Sequence, residues 1–318
     1  MASPSIAESA PRKSRLSAWT PDRVTSRVRG LAWWVFVTQV LIVATGGAVR
    51  LTGSGLGCNT WPKCTADSFV HNPAMGIHSY IEFGNRTLFF LLEVVAILAF
   101  IAVWRFRKQR RDLFWLTFVP ALSVFIQAIL GGITVLTGLN PYVVGLHFLV
   151  SAVLVMLAAL LVLRVYSGPG PRRVNVSAPL LQNVWIAFVF GMIAVSLGIL
   201  TTGSGPHAGD GGAARNGLDS EMLQTIHAVS AYATLLFTGV SWFLARGERS
   251  HRVELWAGST IGVIVIQIFV GVAQARLSLP PVLVGIHMVL ACLLAAGLFL
   301  MLVETRQRVG GARAALAR

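Results

Sequence analysis

The chain has 318 residues, of which 55% are hydrophobic and only 12% are charged, and its mean hydropathy is +0.71. Soluble domains carry about 25% charged residues, so this composition excludes an ordinary soluble protein and predicts an integral membrane protein. The formal net charge of +14 would also suit a nucleic-acid-binding protein. The basic residues, however, stand in short runs between apolar segments, as in the cytoplasmic loops of membrane proteins, so we expect no nucleic-acid partner.

Eight apolar segments are long enough to cross a bilayer, which takes roughly 20 helical residues. They lie near residues 31–50, 82–104, 112–137, 141–165, 180–202, 222–245, 253–276 and 281–304. These segments predict an all-α integral membrane protein with eight transmembrane helices. Of the 26 Lys and Arg residues, 21 fall in the tails and loops on one side of the predicted membrane. Both termini are therefore expected to be cytoplasmic.

The N-terminal stretch has no apolar core of the signal-peptide type. It is rich in Ser and Arg, which leaves a transit peptide open as an alternative. Because it also contains Glu8 and Asp22 and is short, it favours the tail of a bacterial protein. We therefore expect a multi-pass protein of the bacterial plasma membrane.

One sequence pattern occurs twice at the same spacing. Gln127 precedes His147 by 20 residues and Gln267 precedes His287 by 20 residues, with a glycine four residues after each glutamine. A second match is Thr-Gly-Ser-Gly, which follows both the first and the fifth segments. Four helices return the chain to its starting side. The repeat therefore predicts two pseudo-symmetric parallel four-helix bundles related by an axis along the membrane normal.

The sequence thus divides into tails, bundles and a linker. The predicted parts are a basic cytoplasmic tail at 1–30, a first bundle at 31–166, a cytoplasmic linker at 167–179, a second bundle at 180–304 and a cytoplasmic tail at 305–318. Two outer loops, 51–81 and 203–221, are long, whereas the connections at 138–140 and 277–280 are tight turns. Long loops on one face usually carry or cover a functional site.

Three histidines, His147, His227 and His287, fall near the outer ends of the fourth, sixth and eighth segments. Ionisable residues within a membrane usually serve function, although a histidine can also simply hydrogen-bond between helices. His227 and His287 lie on different helices of one half, and two imidazoles across a bundle interior are the usual axial pair for a haem iron. Zinc would prefer a third protein ligand. We predict that all three histidines are metal ligands.

The two halves differ at one position of this pattern. The first half has Asn85 where the second half has His227. Asparagine is a poor iron ligand, so the first half would hold a haem through His147 alone and leave one face open for chemistry. A doubly ligated haem suits electron transfer. The alternative is that Asn85 only hydrogen-bonds to a neighbouring helix.

Charged residues near Asn85 suggest further roles. Glu82 lies one helical turn before it, and a carboxylate beside a cofactor can accept a proton or stabilise a developing cation. The alternative for Glu82 is a solvated carboxylate at a helix start, favoured by the helix dipole. Arg86 and Arg50 can pair with haem propionates, or can anchor the helices at the membrane interface.

Other polar residues leave alternatives open. His78 would join the face of Glu82 if the second helix extends outward, and Glu93, deeper in that helix, would either relay protons or pack against a polar partner. Cys58 and Cys64 are separated by five residues in the first outer loop. They favour a disulfide, with a redox-active pair as the alternative. Cys292 is predicted to be a buried small residue.

Taken together, these features resemble the haem A synthase family, whose members convert haem O to haem A in a membrane. The resemblance covers residues 31–304. It rests on the three histidines and on three motifs: Gly-Gly-Ala-Val-Arg-Leu-Thr-Gly-Ser-Gly-Leu-Gly-Cys at 46–58, Trp-Pro-Lys-Cys at 61–64 and Glu-Phe-Gly-Asn-Arg at 82–86.

The resemblance implies haem b bound by His227 and His287 as an electron-transfer cofactor. It implies that haem O binds in the first half, with His147 as ligand and Glu82 as the catalytic carboxylate. It further implies a loop disulfide and the oxidation of a ring methyl to a formyl group by successive hydroxylation, as a step of cytochrome oxidase assembly. The family commonly has a second histidine where this chain has Asn85. This departure resembles a branch, of actinobacterial kind, that uses a single imidazole for the substrate haem.

Two other functions stay open. A di-haem cytochrome b-type carrier that oxidises quinone would need paired imidazoles in both halves, and Asn85 argues against it. A haem transporter or chaperone would need releasable ligation in both halves, and the pair His227 and His287 argues against it. The expected partners are haem O, the lipid bilayer, a haem O synthase and a quinone.

Overall fold

The structure is a computed structural model that describes residues 20–308. Within these residues, eight helices are long and apolar enough to cross a membrane. They are α1 Ser26–Leu51, α2 Ile77–Val103, α3 Arg111–Leu136, α4 Pro141–Val165, α5 Ala178–Ser204, α6 Ser220–Gly247, α7 His251–Arg276 and α8 Pro281–Glu304. The predicted class of multi-pass helical membrane protein is therefore confirmed. The outermost parts of both predicted tails, residues 1–19 and 309–318, lie outside the described residues.

The first two helices begin five residues earlier than the apolar segments predict. Thr25 caps α1, because its hydroxyl accepts a hydrogen bond from the backbone nitrogen of Val28 at 3.5 Å, as an N-cap threonine does. Helix α2 starts at Ile77, directly after Gly76 with its φ of 75°. The basic residues at 27 and 29 are therefore helical, and His78 lies in the first turn of α2.

The same pattern of helix neighbours occurs in each half. In the first half, α1 packs on α2, α2 on α3, α3 on α4 and α4 on α1. In the second half, α5 to α8 close the equivalent ring. The halves meet where α8 packs on α1 and α4, and where α4 packs on α5. Both halves are thus four-helix bundles, while the rotational relation between them stays a prediction.

The turn between α3 and α4 and the turn between α7 and α8 have matching backbone conformations. We call the end of the bundles at which they lie the outer end, after the orientation predicted from the sequence. Gly138 and Leu139 have φ values of 59° and 61°, and Ser278 and Leu279 have 61° and 59°. Three of these four residues are not glycine, and positive φ is uncommon for such residues. The backbone nitrogen of Leu139 donates to the carbonyl of residue 134 at 2.7 Å, and that of Leu279 donates to the carbonyl of residue 274 at 2.8 Å. The two tight turns predicted from the sequence are confirmed.

The seam between the halves is built from small side chains. Ala152 and Ala159 of α4 pack with Ala295 and Ala296 of α8 in one buried cluster. Small residues let transmembrane helices approach closely, which increases van der Waals contact. Cys292 belongs to this cluster and is 1% exposed, which confirms its predicted role as a buried small residue.

Two short strands were not predicted. Strand β1, Arg172–Val174, lies in the linker between the halves, and β2, Arg306–Arg308, follows α8. They pair antiparallel, with Arg172 opposite Arg308. Each has only three residues and no alternating apolar pattern, so sequence periodicity gave no strand there. The sheet ties the linker to the end of the second bundle.

Candidate functional site

The second half contains a cavity of about 490 Å³ at its outer end. Both His227 of α6 and His287 of α8 line it, and their ring centroids are 6.1 Å apart with an angle of 70° between the planes. Its volume lies within the usual range for small-molecule and cofactor sites, about 300–1,000 Å³. The structure therefore brings together the two histidines that the sequence predicts as a pair.

The surroundings of these imidazoles leave nitrogen atoms available. His227 Nδ1 lies 2.8 Å from the carbonyl of Ala194 on α5, and this bond assigns the proton to Nδ1 and leaves Nε2 as a free acceptor. A Cβ added to Gly198 would lie 3.2 Å from the His227 ring, and one added to Gly271 would lie 3.3 Å from the His287 ring. Both rings therefore pack directly against helix backbone.

The repeated glutamines contact the repeated histidines. Gln267 Nε2 donates to the backbone carbonyl of His287 at 3.2 Å, and Gln127 Nε2 donates to that of His147 at 3.3 Å. Among the described residues, the Oε1 atoms of both glutamines and the Nδ1 atoms of both histidines are buried without a hydrogen-bond partner. The same two orphaned groups, a glutamine oxygen and a histidine nitrogen, thus recur in both halves. The sequence shows this spacing, but its physical meaning appears only in three dimensions.

The outer end of the first half is covered by the loop between α1 and α2. Cys58 and Cys64 form a disulfide in this loop, as predicted from the sequence. The indole of Trp61 lies on α3 at Gly132, where an added Cβ would come within 2.4 Å of the ring. Gly132 adjoins Gly131, which packs against the His147 ring. The loop therefore lies next to the histidine of the first half.

Glu82 and Arg86 of α2 hold this loop in place. Glu82 Oε2 accepts a hydrogen bond from the backbone nitrogen of Cys58 at 2.6 Å, and Oε1 accepts from Arg86 Nε at 3.1 Å. Arg86 also donates to the backbone carbonyls of Cys58, Thr60 and Lys63. Glu82 is 5% exposed. The alternative of a solvated carboxylate at a helix start is therefore wrong, and the loop contacts of this ion pair were not foreseen.

Asn85 forms a hydrogen bond between helices. Its Oδ1 accepts from the Thr45 hydroxyl of α1 at 2.8 Å. The corresponding residue of the second half, His227, contacts the carbonyl of Ala194 on α5, so both residues bond to the equivalent neighbouring helix. This bond is the alternative that the sequence left open for Asn85, and a role toward a cofactor stays a prediction.

Arg50 reaches across the seam to the second half. Its Nε donates to the carbonyl of His207 at 2.7 Å and its Nη2 to the carbonyl of Thr202 at 3.2 Å. It also lines the cavity that contains His227 and His287. Arg50 is therefore more than an anchor of α1 at the membrane interface, because its charged group lies at the rim of the second-half cavity.

His78 and Glu93 lie at different depths of α2. His78 Nδ1 is 2.9 Å from the hydroxyl of Ser54, in the loop next to Glu82. Glu93 is 8% exposed, and its Oε2 has no hydrogen-bond partner within the described part of the chain. The structure therefore gives this oxygen of Glu93 no polar partner of the kind that the sequence suggested. A role of Glu93 in proton relay stays a prediction.

The second-half cavity fits a haem by two observations. Metal–nitrogen bonds of about 2 Å would place two imidazole centres on opposite sides of an iron roughly 6 Å apart, close to the 6.1 Å measured here. His227 Nδ1 donates to the carbonyl of Ala194, and ligating histidines usually direct their second nitrogen to a protein acceptor in this way. Within residues 20–308, the buried Nδ1 atoms of His287 and His147 have no such acceptor.

Comparison with known proteins identifies the family. A family model described as a cytochrome oxidase assembly protein, COX15-CtaA, matches residues 29–299. The chain belongs to this family. The match spans all eight helices and confirms the resemblance predicted from the sequence.

Curated relatives in this family carry the name haem A synthase. A relative from Listeria welshimeri is 26% identical over 229 residues, which cover 68% of this chain and 75% of the relative. One from an Exiguobacterium species is 29% identical over 252 residues, covering 74% and 80%. One from Alkalihalophilus pseudofirmus is 32% identical over 167 residues, covering 52% and 54%.

Proposed function

We propose that this protein is a haem A synthase, an oxidoreductase that converts haem O to haem A by oxidising one ring methyl to a formyl group. The observation that carries the proposal is the contrast between the two halves. His227 and His287 form a pair in the second half, whereas the first half has one equivalent histidine, His147, and the buried carboxylate of Glu82. Membership of the family and the names of the relatives support the reaction and its substrate.

The second bundle would bind haem b through His227 and His287. A doubly ligated haem supplies one-electron transfer. The chain's own contribution is to fix the ligands: the Ala194 carbonyl sets the tautomer of His227, and glycine backbone supports both rings. Arg50 at the cavity rim offers a guanidinium to an acidic substituent of the bound group.

The first bundle would bind the substrate haem O through His147. Asn85 offers no second imidazole, so one face of the substrate iron would stay free of protein nitrogen. Glu82 accepts hydrogen bonds at both oxygens, the pattern of an ionised carboxylate. Removal of two electrons and one proton from the methyl would leave positive charge on the macrocycle edge, and water would capture it to give the hydroxymethyl group and a second proton. As a base at this end of the bundle, Glu82 would stabilise this charge and take up a proton. A second hydroxylation would give a gem-diol, which loses water to form the formyl group.

Arg86 would position Glu82. Its guanidinium binds both the carboxylate and three carbonyls of the disulfide loop, so it links the state of the loop to the placement of the acid. The loop and Trp61 would limit access of water to the substrate, which strengthens electrostatic interactions in the site. Haem O would have to displace part of this cover to enter.

The orientation and partners follow from the charge pattern and the chemistry. We propose that both termini face the cytoplasm, which puts both sites near the non-cytoplasmic surface. The oxidation needs an electron acceptor, for which a membrane quinone is the candidate class, and a haem O synthase would supply the substrate. The division into a substrate bundle at 31–166 and a cofactor bundle at 180–304 is part of the same proposal.

The decisive experiment is an analysis of the pigments of the purified protein. The full chain would be produced in cells that make haem O, and its haems would be extracted and separated by chromatography with mass detection. We expect haem A together with hydroxylated haem O, and only haem b from cells unable to make haem O. Finding haem O unchanged, or haem b alone in both hosts, would contradict the synthase proposal in favour of a transporter or a cytochrome.

A further inference from the structure

An excess of positive charge lies at the inner face, the face that carries the end of α4, the end of α8 and the two-stranded sheet. We name its four arginines, Arg110, Arg164, Arg172 and Arg252, the arginine junction. Arg110 makes a two-bonded ion pair with Asp112 at 2.9 Å and donates to the carbonyl of Arg164 at 2.7 Å.

The carboxylates of this region are already paired. Arg252 Nη1 lies 3.1 Å from an oxygen of Glu304, which is 3% exposed, and Asp112 is bound by Arg110. Among the acids of residues 20–308, none forms a hydrogen-bonded ion pair with the guanidinium group of Arg164 or of Arg172.

The two remaining arginines are only partly satisfied. Arg164 Nη1 is buried, and no group in residues 20–308 accepts a hydrogen bond from it. A buried unpaired N–H of a charged group is costly, so an anion at this position would stabilise the structure. Burial lowers the pKa of Arg172, an effect that Asp112 and Glu304 oppose and that Arg110 and Arg252 strengthen. Arg172 therefore lies in the electrostatic field of both ion pairs.

An apolar groove begins about one helical turn from the ion pair of Arg252 and Glu304. It has a volume of about 210 Å³ and runs along the seam between the halves, lined by Phe36 and Val162 on one side and by Trp256 and Leu300 on the other. Trp256 lies one turn after Arg252, and Leu300 lies one turn before Glu304. The groove and the ion pair of Arg252 with Glu304 thus lie on the same faces of α7 and α8.

We propose that the arginine junction and this groove together bind one anionic phospholipid. Its phosphate would be held by Arg164 and Arg172, because guanidinium groups bind phosphate oxygens with paired hydrogen bonds. One acyl chain would lie in the groove. Basic pockets between transmembrane helices on the cytoplasmic side are a known class of site for anionic head groups. The lipid would join α4, α7 and α8 across the seam.

The strand geometry offers a matched control for the test. Arg172 and Arg173 are neighbours on β1, and successive side chains of a strand point to opposite faces. Arg172→Gln and Arg173→Gln therefore each remove one positive charge from β1. Only Arg172→Gln removes a residue that is proposed to bind the phosphate. Val162→Trp would fill the groove without a change of charge.

The test measures lipid retained by the full-length protein in native mass spectrometry, after exchange into nanodiscs of phosphatidylcholine with or without phosphatidylglycerol. We expect the wild type and Arg173→Gln to retain one phosphatidylglycerol, and Arg172→Gln and Val162→Trp to retain about five- to tenfold less. Thermal unfolding in phosphatidylcholine alone would show that each variant is folded.

Three results would overturn the proposal. Equal losses in Arg172→Gln and Arg173→Gln would indicate general surface attraction. Retention of phosphatidylcholine as strongly as phosphatidylglycerol would remove the role of charge. Displacement of the lipid by inorganic phosphate, with no loss in Val162→Trp, would indicate a site for the free ion in place of a lipid.

Discussion

The outer ends of the two bundles have opposite characters. The second bundle ends in a cavity of about 490 Å³ whose two histidines lie side by side. The first ends under a loop closed by a disulfide and bound to α2 through Glu82 and Arg86. An open site with two fixed histidines suits a group that stays bound. A covered site with one histidine suits a molecule that must enter, react and leave.

The difference arises at a few positions within a shared framework. The Gln-to-His contact and the glycine behind the histidine ring are the same in both halves. Asn85 stands where the second half has His227, and the first half has Glu82 bonded to a loop closed by a disulfide. In the proposed function, the duplicated bundle separates electron transfer from chemistry by changing side chains on one of its helices.

The largest expected effect tests the haem site proposed at the paired histidines. We expect His227→Ala or His287→Ala to abolish the low-spin haem signal in optical and electron paramagnetic resonance spectra, since either change removes an axial ligand. His147→Ala should leave that signal in place. His251→Ala, at the exposed start of α7, is the control for general effects. An unchanged spectrum in the first two variants would contradict the paired site.

The next effect tests the carboxylate of the covered end. We expect Glu82→Gln to lower the yield of haem A by about 10²–10⁴-fold, the usual range for a general base, with the low-spin signal unchanged. Extracted haems would be quantified by chromatography. Glu221→Gln, at the exposed outer start of α6, is the matched control. A normal haem A yield from the Glu82 variant would remove this residue from the reaction.

The shared framework can be tested at its repeated glutamine. We expect Gln267→Leu to weaken haem retention in the second half by about 10–100-fold, because Gln267 bonds the backbone of His287 and carries a buried, unused acceptor oxygen. Transfer of haem to an apoprotein scavenger would measure the loss. Gln274→Leu removes another buried free oxygen of the cavity, without a bond to a histidine. Equal retention in both variants and the wild type would leave Gln267 no role toward the haem.

The smallest expected effect concerns the closed loop. Replacing both cysteines, Cys58→Ser with Cys64→Ser, should speed tryptic cleavage after Lys63 about tenfold, because the crosslink limits local opening. Cleavage after Arg215, in the second outer loop, is the internal reference and should not change. If Lys63 is cut at the wild-type rate, the contacts of Arg86 alone keep the loop closed.

Much of the fold could be predicted because the membrane imposes it. Eight stretches of roughly 20 apolar residues predicted eight transmembrane helices, and the distribution of basic residues predicted their orientation. The repeated spacing from glutamine to histidine predicted two bundles. The helix starts at Ser26 and Ile77 were less predictable, because polar first turns extend beyond the apolar segment. Strands β1 and β2 were missed, since segments of three residues, two of them arginine, carry no periodic pattern.

The site was predictable in its residue types but less so in its contacts. The repeat identified His147 and His287, and comparison of the halves identified His227 and Asn85. The bond from Arg50 to His207 in the other half, and the hold of Arg86 on the disulfide loop, depend on how distant loops fold together. No local spacing records such contacts.

The pairing of β1 with β2 has a consequence for biosynthesis. Strand β1 leaves the ribosome after only half of the helices, whereas β2 follows the last of them. The sheet can therefore close only when the whole second bundle has been inserted beside the first. A span misplaced in the second bundle would put β2 on the other side of the membrane and leave the arginines of β1 without their partner strand.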